Sequence, residues 1–416
     1  MKNMTSKTIE YENGLRLVAE NLPHVHSVAM GIYIKAGAAY EDAGNNGISH
    51  FLEHMLFKGT NKLNAFEIAQ KFESMGASIN AFTSSDCTCY HSKSIADKAE
   101  ECFELWSHLL FDSIFPENEL EREKGVVIEE IGMQVDDPDS VCYNILAEAL
   151  YDGTLSQTIL GPAANIQKFT KADLVKYMAD YYHAKRIVIS FSGKITLTDA
   201  DRLVRKYFLD RVKPEKGKQR NIENKFLSKQ SVVTDDYEQS NLIIAFPSIK
   251  LNHELSPVQT ILSMILGMGM SSRLFQTIRE KEGLAYMVYS NPSVYVSAGS
   301  FNIHVNYSAQ NTGKVIELIK KEIQLLLEGG VNDGELNRAI AQAKTALVFA
   351  QENVHSQMLA FGKLLLLCDE VYDMEKRLKA FDSVTKEAVL NFASDLFKRS
   401  PALAYLGKEP DVKPKW

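Results

Sequence analysis

Hydrophobic and polar positions along the chain follow two rhythms. Apolar residues alternate with small or polar ones in VAMGIYIKAG (28–37) and in NLIIAFPSIK (241–250), the period of a strand. Two glycine-led stretches, GASINAFTSSDCTCYHSKSI (76–95) and GLAYMVYSNPSVYVSAGSFNIHV (283–305), each predict a pair of strands. The helical rhythm governs FTKADLVKYMADYY (169–182) and VTKEAVLNFASDLF (384–397), and a strand follows each, IVISFSGK (187–194) and ALAYLGK (402–408).

These elements form two matching sets. Thr-Lys opens both helices, Asp180 answers Asp395, Tyr177 answers Phe392, and both following strands end in Gly-Lys. The helices lie 215 residues apart (395 − 180) and the first strands 213 apart (241 − 28). Widely spaced markers with nearly one offset predict a duplication. The expected fold class is α+β, with two related halves, each an antiparallel-rich sheet with helices packed on it. Between them RVKPEKGKQRNIENK (211–225) is polar, basic and broken by Pro and Gly, so a linker is expected. The expected division is a first half over 1–211, a linker over 212–230 and a second half over 231–416.

Composition narrows the class. A chain of 416 residues exceeds one ordinary core, and 45% hydrophobic with 24% charged residues is the balance of a globular protein. A formal charge of −7 argues against nucleic acid as partner. No apolar run reaches the ~18 residues of a membrane span; the richest, LLLLC at 364–368, is followed by Asp369 and Glu370. MKNMTSKTIEYENG at the start has no apolar core of a signal peptide. The five cysteines (87, 89, 102, 142 and 368) form no CxxC pair, so a disulfide framework or cysteine metal site is not expected, and a reducing cytoplasm fits. Plain packing is the expected role of Cys87 and Cys89.

Chemistry concentrates in GNNGISHFLEHMLFKGT (44–60). Asn45-Asn46-Gly47 is a helix-start signal, and Ile48, Phe51, Leu52, Met55 and Leu56 give the apolar periodicity that follows. A helix through this stretch puts His50 and His54 on one face, where both imidazoles reach one ion. Glu53 lies beside that stripe, within reach of a ligand of the ion. A lone histidine there reads as a satisfied core residue; two at i, i+4 with an adjacent carboxylate favour a metal, since three ionisable groups on an apolar face otherwise carry a high cost.

A catalytic zinc takes three protein ligands and leaves one position open. The helix PENELEREKGVVIEEIGMQVDDP (116–138) offers a third, because Glu123, Val126, Val127, Glu130 and Gln134 share one face and carboxylates among valines need a cation or donors. Glu130 as ligand and Glu123 as support for a histidine N–H is the economical assignment. An acidic surface helix is the competing reading.

HFLEH is the H-x-x-E-H signature of inverzincins. NGISHFLEHMLFKGT resembles the pitrilysin/insulinase family of zinc peptidases, above all its short branch, the mitochondrial processing peptidase and bacterial relatives. The resemblance spans essentially the whole chain. It implies that a Glu about 76 residues past the second His completes the site, which is Glu130, with a supporting Glu at Glu123. SSRLFQTIREKEGLAYMVYS (271–290) resembles the segment that carries the family's substrate-facing Arg–Tyr pair, here Arg279 and Tyr286; a surface Arg beside a half-buried Tyr is the plain alternative. INAFT (79–83) resembles the family's edge strand, with Asn80 and Ala81 on the substrate path. Phe82 as groove lining and Phe57 as a pocket wall compete with core packing. At offset 213, His50 and His54 map to Ser263 and Gly267, so no metal site is expected in the second half. The other histidines (24, 26, 91, 108, 183, 253, 304 and 355) have no ligand spacing and receive no role.

The resemblance therefore implies a zinc-dependent endopeptidase, with one zinc per chain held by His50, His54 and Glu130. Glu53 serves as general base, while Arg279 and Tyr286 assist the substrate carbonyl. Unfolded peptides or presequence-like segments are the expected substrates. The two halves are expected to face each other as a clam shell, with pairing into a homodimer, or with a related subunit, around a peptide chamber. A non-catalytic peptide-binding or partner subunit of the same fold is the alternative. No nucleic-acid or membrane partner is expected.

Overall fold

The structure, a computed structural model, describes residues 7–214 and 222–416. Of the expected linker, 215–221 lies outside the described residues. The remainder is not all irregular: Lys225–Phe226 pairs antiparallel with Tyr151–Asp152, and the Phe226 ring lies 5.6 Å from that of Tyr151. An aromatic pair of this kind gives a polar segment a reason to dock.

In chain order the strands are β1 (Lys7–Glu10), β2 (Arg16–Asn21), β3 (Ser27–Ile34), β4 (Ser78–Thr83), β5 (Thr88–Ile95), β6 (Tyr151–Asp152), β7 (Ile187–Gly193), β8 (Lys225–Phe226), β9 (Gln230–Thr234), β10 (Ser240–Ser248), β11 (Ala285–Val294), β12 (Gly299–Tyr307) and β13 (Ala402–Gly407). One sheet has the order β1-β2-β7-β3-β5-β4 and the other β11-β12-β10-β13-β9. Read from the hairpin end, β4-β5-β3-β7-β2 and β11-β12-β10-β13-β9 are one topology used twice. Each has a single parallel pair, β2 with β7 and β9 with β13, among antiparallel neighbours. The register repeats as well: Val28 faces Gly193 in one sheet and Asn241 faces Leu406 in the other, both members 213 residues on (241 − 28, 406 − 193). The fold is α+β, and the duplication is internal to it.

The compact units are not the contiguous halves that the repeat suggests. One comprises the described parts of 1–131, 158–221 and 348–375; the other comprises those of 132–157, 222–347 and 376–416. Each half lends one helix to the other sheet. β7, β10 and β13 are buried along their whole length, and so is β3 after Ser27. Such strands need cover on both faces. In the first unit the second cover is helix Val354–Cys368. Gly31 of β3 admits Met358, whose Sδ would lie 2.4 Å from a Cβ there, and Gly362 admits the Tyr33 ring at 2.3 Å. Tyr33 Oη donates to the Leu359 carbonyl (3.0 Å), and Ser190 Oγ donates to that of Met358 (2.8 Å). In the second unit helix Pro138–Leu150 plays this part, with Cys142, Leu146, Ala149 and Leu150 buried over β10 and β13. Demand for apolar cover acts through space, so the compact units interleave along the chain. Among the described residues no helix is long and apolar enough to cross a membrane.

Each lent helix meets a buried histidine. His91 of β5 shares a hydrogen bond with His355 of Val354–Cys368 (Nδ1···Nε2, 3.1 Å). His304 of β12, wholly buried, lies 2.7 Å from Tyr289 Oη and 3.1 Å from Asn241 Oδ1, and Tyr289 in turn meets Tyr143 of Pro138–Leu150 at 3.1 Å. Burial holds His91 and His304 near 4, with His355 adding to the shift at His91. A depressed folded pKa means stability is complete above the unfolded value, about 6.5, and is lost as pH falls towards 4. Acidification from pH 7 to 4.5 should therefore cost about 2 kcal/mol per histidine. Urea unfolding at both pH values should show a His91→Gln chain losing less than the parent by about that amount; equal losses would contradict the assignment.

Candidate metal centre

Helix Ile48–Met55 is short, and its first turn is unusual. Its N-cap, Gly47, is left-handed (φ +98°) and gives no side-chain cap. The cap comes instead from Glu41, a fully buried carboxylate that accepts from the N–H groups of Gly47 (2.7 Å) and Ser49 (2.8 Å) and from Asn46 Nδ2 (2.9 Å). Free N–H groups at a helix start and its positive dipole end favour an anion there. Gly47 is required twice, by its φ and because a Cβ would meet the Leu160 carbonyl at 2.5 Å. Sequence reading placed the helix correctly but missed Glu41, which lies before the motif and has no capping spacing.

The third donor comes from helix Glu117–Val135, and its expected face is split. Glu123 and Val127, one turn apart, are buried, whereas Val126 is 45% exposed and the Glu130 side chain 43%. His50, His54 and Glu130 bring one ligand atom each within 4.8 Å of one another. Glu130 Oε2 lies 3.6 Å from His50 Nε2 and 3.5 Å from His54 Nε2. A tetrahedral zinc with bonds of ~2.0–2.1 Å sets its ligands roughly 3.3–3.4 Å apart, so both separations from Glu130 suit such an ion, and the cluster opens to solvent at Glu130. Burial, then neighbouring His54, push His50 down to about 4, leaving it neutral, the form that ligates.

Glu123 orients the second imidazole. Its Oε2 lies 3.1 Å from His54 Nδ1, and its Oε1 accepts from Lys58 Nζ at 2.7 Å. Burial alone would raise its pKa, but the His54 and Lys58 hydrogen bonds outweigh it and hold the carboxyl below its ordinary value. With Nδ1 donating to this anion, His54 turns Nε2 towards Glu130.

Glu53 accepts a hydrogen bond from Thr83 Oγ1 (2.5 Å), at the end of β4. Burial raises its pKa; the Thr83 bond and His54 oppose this, and Glu130 reinforces it. Thr83 was not singled out from sequence, although it closes the INAFT stretch. Strand alternation puts its neighbour Phe82 on the opposite sheet face, where the ring meets Tyr33 at 6.3 Å and His91 at 6.0 Å. The Phe57 ring lies edge-on to Trp106 at 5.7 Å. Both rings are half-buried and pack on buried aromatic side chains, Tyr33 and Trp106. Asn80 and Ala81 sit on β4, the outer strand of its sheet, and Ala81 N–H donates to Asn80 Oδ1 at 2.8 Å.

In the second unit Ser263 is buried and donates to the Ser290 carbonyl (2.7 Å), while Gly267 packs so closely on Ser290 that a Cβ would lie 2.4 Å from its nitrogen. Among the described residues the only cluster suited to a metal is the one above. Arg279 lies in the π-helical segment Phe275–Lys281, and its guanidinium stacks over Phe275 (4.8 Å) and Tyr286 (5.2 Å). Tyr286 sits at the register shift between Ala285 and Met287, which frees it from the ladder and leaves it 78% exposed. A π turn and a bulge together bring cation and phenol face to face.

Comparison with known proteins adds independent findings. Residues 16–163 match the family model described as insulinase (peptidase family M16), and residues 168–343 match that described as peptidase M16 inactive domain. A Bacillus subtilis protein described as an uncharacterized zinc protease is 36% identical over 95% of this chain and 96% of its own. A Rickettsia felis protein with the same description is 32% identical, with the same coverage. The crystal structure of a protease from Helicobacter pylori is 21% identical with a TM-score of 0.90, covering 97% of this chain and all of that one. A Pseudomonas fluorescens peptidase M16 inactive domain, also 21% identical, gives 0.88 over 99% of this chain and all of that one. At that identity the two structures speak to the fold alone.

The Glu41 cap generates its own expectation. Glu41→Gln would turn an amide N–H₂ towards N–H donors and leave at least one of them unsatisfied, at a cost of about 2 kcal/mol. The urea midpoint should fall accordingly; an unchanged midpoint would mean that the helix start does not depend on this anion.

Proposed function

The chain belongs to the insulinase family of peptidases, family M16, and from that premise we propose that it is a zinc-dependent endopeptidase acting on unfolded peptides. One observation carries the reading: His50, His54 and Glu130 converge on a single point while Glu53, one residue before His54, is held by Thr83 at its side. The description of the 168–343 match as an inactive domain concerns a stretch that contains none of these four residues.

A zinc ion held by His50, His54 and Glu130 would polarise the scissile carbonyl and lower the pKa of water to near ~7. Glu53 is the group placed to take the proton from the attacking water and return it to the leaving amine. Its pKa is raised by burial, which suits a base that must later act as an acid. Thr83 holds one carboxylate oxygen and leaves the other for the water. Arg279 and Tyr286 are assigned to the substrate carbonyl. Among the described residues the Arg279 guanidinium has ring contacts but no hydrogen-bonded partner, so its N–H groups are available to an acceptor.

The preference for unfolded substrate follows from β4. As an outer strand it presents one row of N–H and C=O groups to whatever lies beside it. Only a segment with its own backbone groups free can add there, and a folded protein offers few. Asn80 and Ala81 then contribute through their main chain once the Ala81 N–H exchanges its bond to Asn80 Oδ1 for one to the substrate. Phe82 and Phe57, half-buried against Tyr33 and Trp106, support that strand and its neighbours.

Unstructured peptides incubated with zinc-loaded protein should yield fragments by mass, and a chelator should abolish them. Glu53→Gln should retain zinc and lower cleavage by about 100-fold or more; normal turnover by that variant would refute the role. Tyr286→Phe should lower kcat/KM by about 100-fold with zinc content unchanged. Chelator-insensitive turnover would refute the metal's role in cleavage, and zinc binding with no fragments would favour a peptide-binding protein instead.

A further inference from the structure

We propose that Lys58 is a positioning residue of the metal centre: acting through Glu123, it fixes the His54 ring and so sets how tightly the site holds its divalent ion. The inference rests on the metal-centre reading but not on peptide cleavage.

Lys58 lies four residues past His54, beyond the end of helix Ile48–Met55. The backbone continues in tight turns, with Phe57 N–H on the His54 carbonyl and Lys58 N–H on that of Met55, both at 3.2 Å. Gly59 (φ +154°) then leads the chain away. The two side chains therefore leave the same side of the segment and converge on one carboxylate, His54 on Oε2 and Lys58 on Oε1.

That carboxylate is buried, its side chain only 3% exposed, and each oxygen has one charged or ring donor. A carboxylate held at one oxygen can swing about that contact; held at both, its plane is set. His50 shows the contrast, because its Nδ1 is buried with no hydrogen-bond partner among the described residues. Orientation of the imidazole pair thus relies on one anchor, and the second leg of that anchor is Lys58. The ammonium also offsets the charge of Glu123, leaving Glu130 as the carboxylate whose charge the ion meets. Lys58 is 26% exposed, and by spacing alone it would pass for an ordinary lysine at the end of a helix.

The test is zinc affinity, read by competition with a chromophoric chelator and without peptide. Lys58→Met should weaken zinc binding about 10- to 100-fold, the usual loss when support of a ligand histidine is removed. Lys58→Arg, which still donates to Oε1, should remain close to the parent. Because Lys58 acts through Glu123, Lys58→Met should add less than about twofold in a Glu123→Gln background. Affinity within about twofold of the parent for Lys58→Met, or an equal loss in both backgrounds, would overturn the proposal. Thermal melts of the zinc-free proteins report folding; if Lys58→Met does not fold, Lys58→Gln, which keeps a donor without charge, carries the same comparison and should show an intermediate loss. A parent chain that binds no zinc would remove the metal reading and this inference together, whereas zinc binding without cleavage would count against the peptidase reading alone.

Discussion

A carboxylate cannot sit among apolar side chains unless donors meet it, and the candidate site is organised by that requirement at Glu123. Its burial would be prohibitive without His54 on one oxygen and Lys58 on the other. Satisfying it ties the end of helix Ile48–Met55 to the middle of helix Glu117–Val135. Once those helices are tied, Glu130, two turns beyond Glu123, arrives at both Nε2 atoms. The same rule operates at the other end of the short helix, where Glu41 is buried because it answers Gly47, Ser49 and Asn46. Two buried carboxylates thus hold an eight-residue helix that would be marginal alone.

The duplication gives one topology two different placements of charge. Both units present the same strand order, and both cover the sheet's second face with a helix lent by the other half. What differs is where charge is tolerated. In the first unit the hairpin strand β4 meets the histidine helix through Thr83 and Glu53. In the second, the corresponding hairpin carries the bulge at Tyr286, and the segment before it is wound as a π-helix around Arg279. Close packing of Gly267 on Ser290 leaves no room there for a second imidazole.

Much of this was legible in sequence, for identifiable reasons. Period-two alternation and the repeated Thr-Lys and Gly-Lys markers report local structure, which is why the strands and the 213-residue offset were readable. The spacing of His50, His54, Glu123 and Glu130 was readable because a helix converts spacing into direction. Glu41, Lys58 and Thr83 were not, since each acts on a partner reached only by tertiary packing and its residue type is ordinary at its position. The lent helices were invisible for the same reason: Met358 and Cys142 carry nothing in their neighbourhood that says which sheet they cover. Phe82 was left between groove lining and core packing by its place in INAFT; alternation puts its ring on the face of Tyr33 and His91.

If a peptide adds to β4 as proposed, the alternation of that strand bears on its register. Thr83 and Ala81 point to one face of β4, Asn80 and Phe82 to the other, and Thr83 is the residue that holds Glu53. A peptide added along β4 pairs with the same backbone that ends at Thr83, so its carbonyls are fixed relative to the Glu53 carboxylate in steps of two residues, about 6.6–7 Å. Sliding by one residue would present the opposite side-chain face and replace an outward carbonyl by an inward one. Under the proposed function, main-chain pairing on this strand would restrict a peptide to registers two residues apart without requiring a particular side chain, and the Thr83–Glu53 bond would tie those registers to the Glu53 carboxylate.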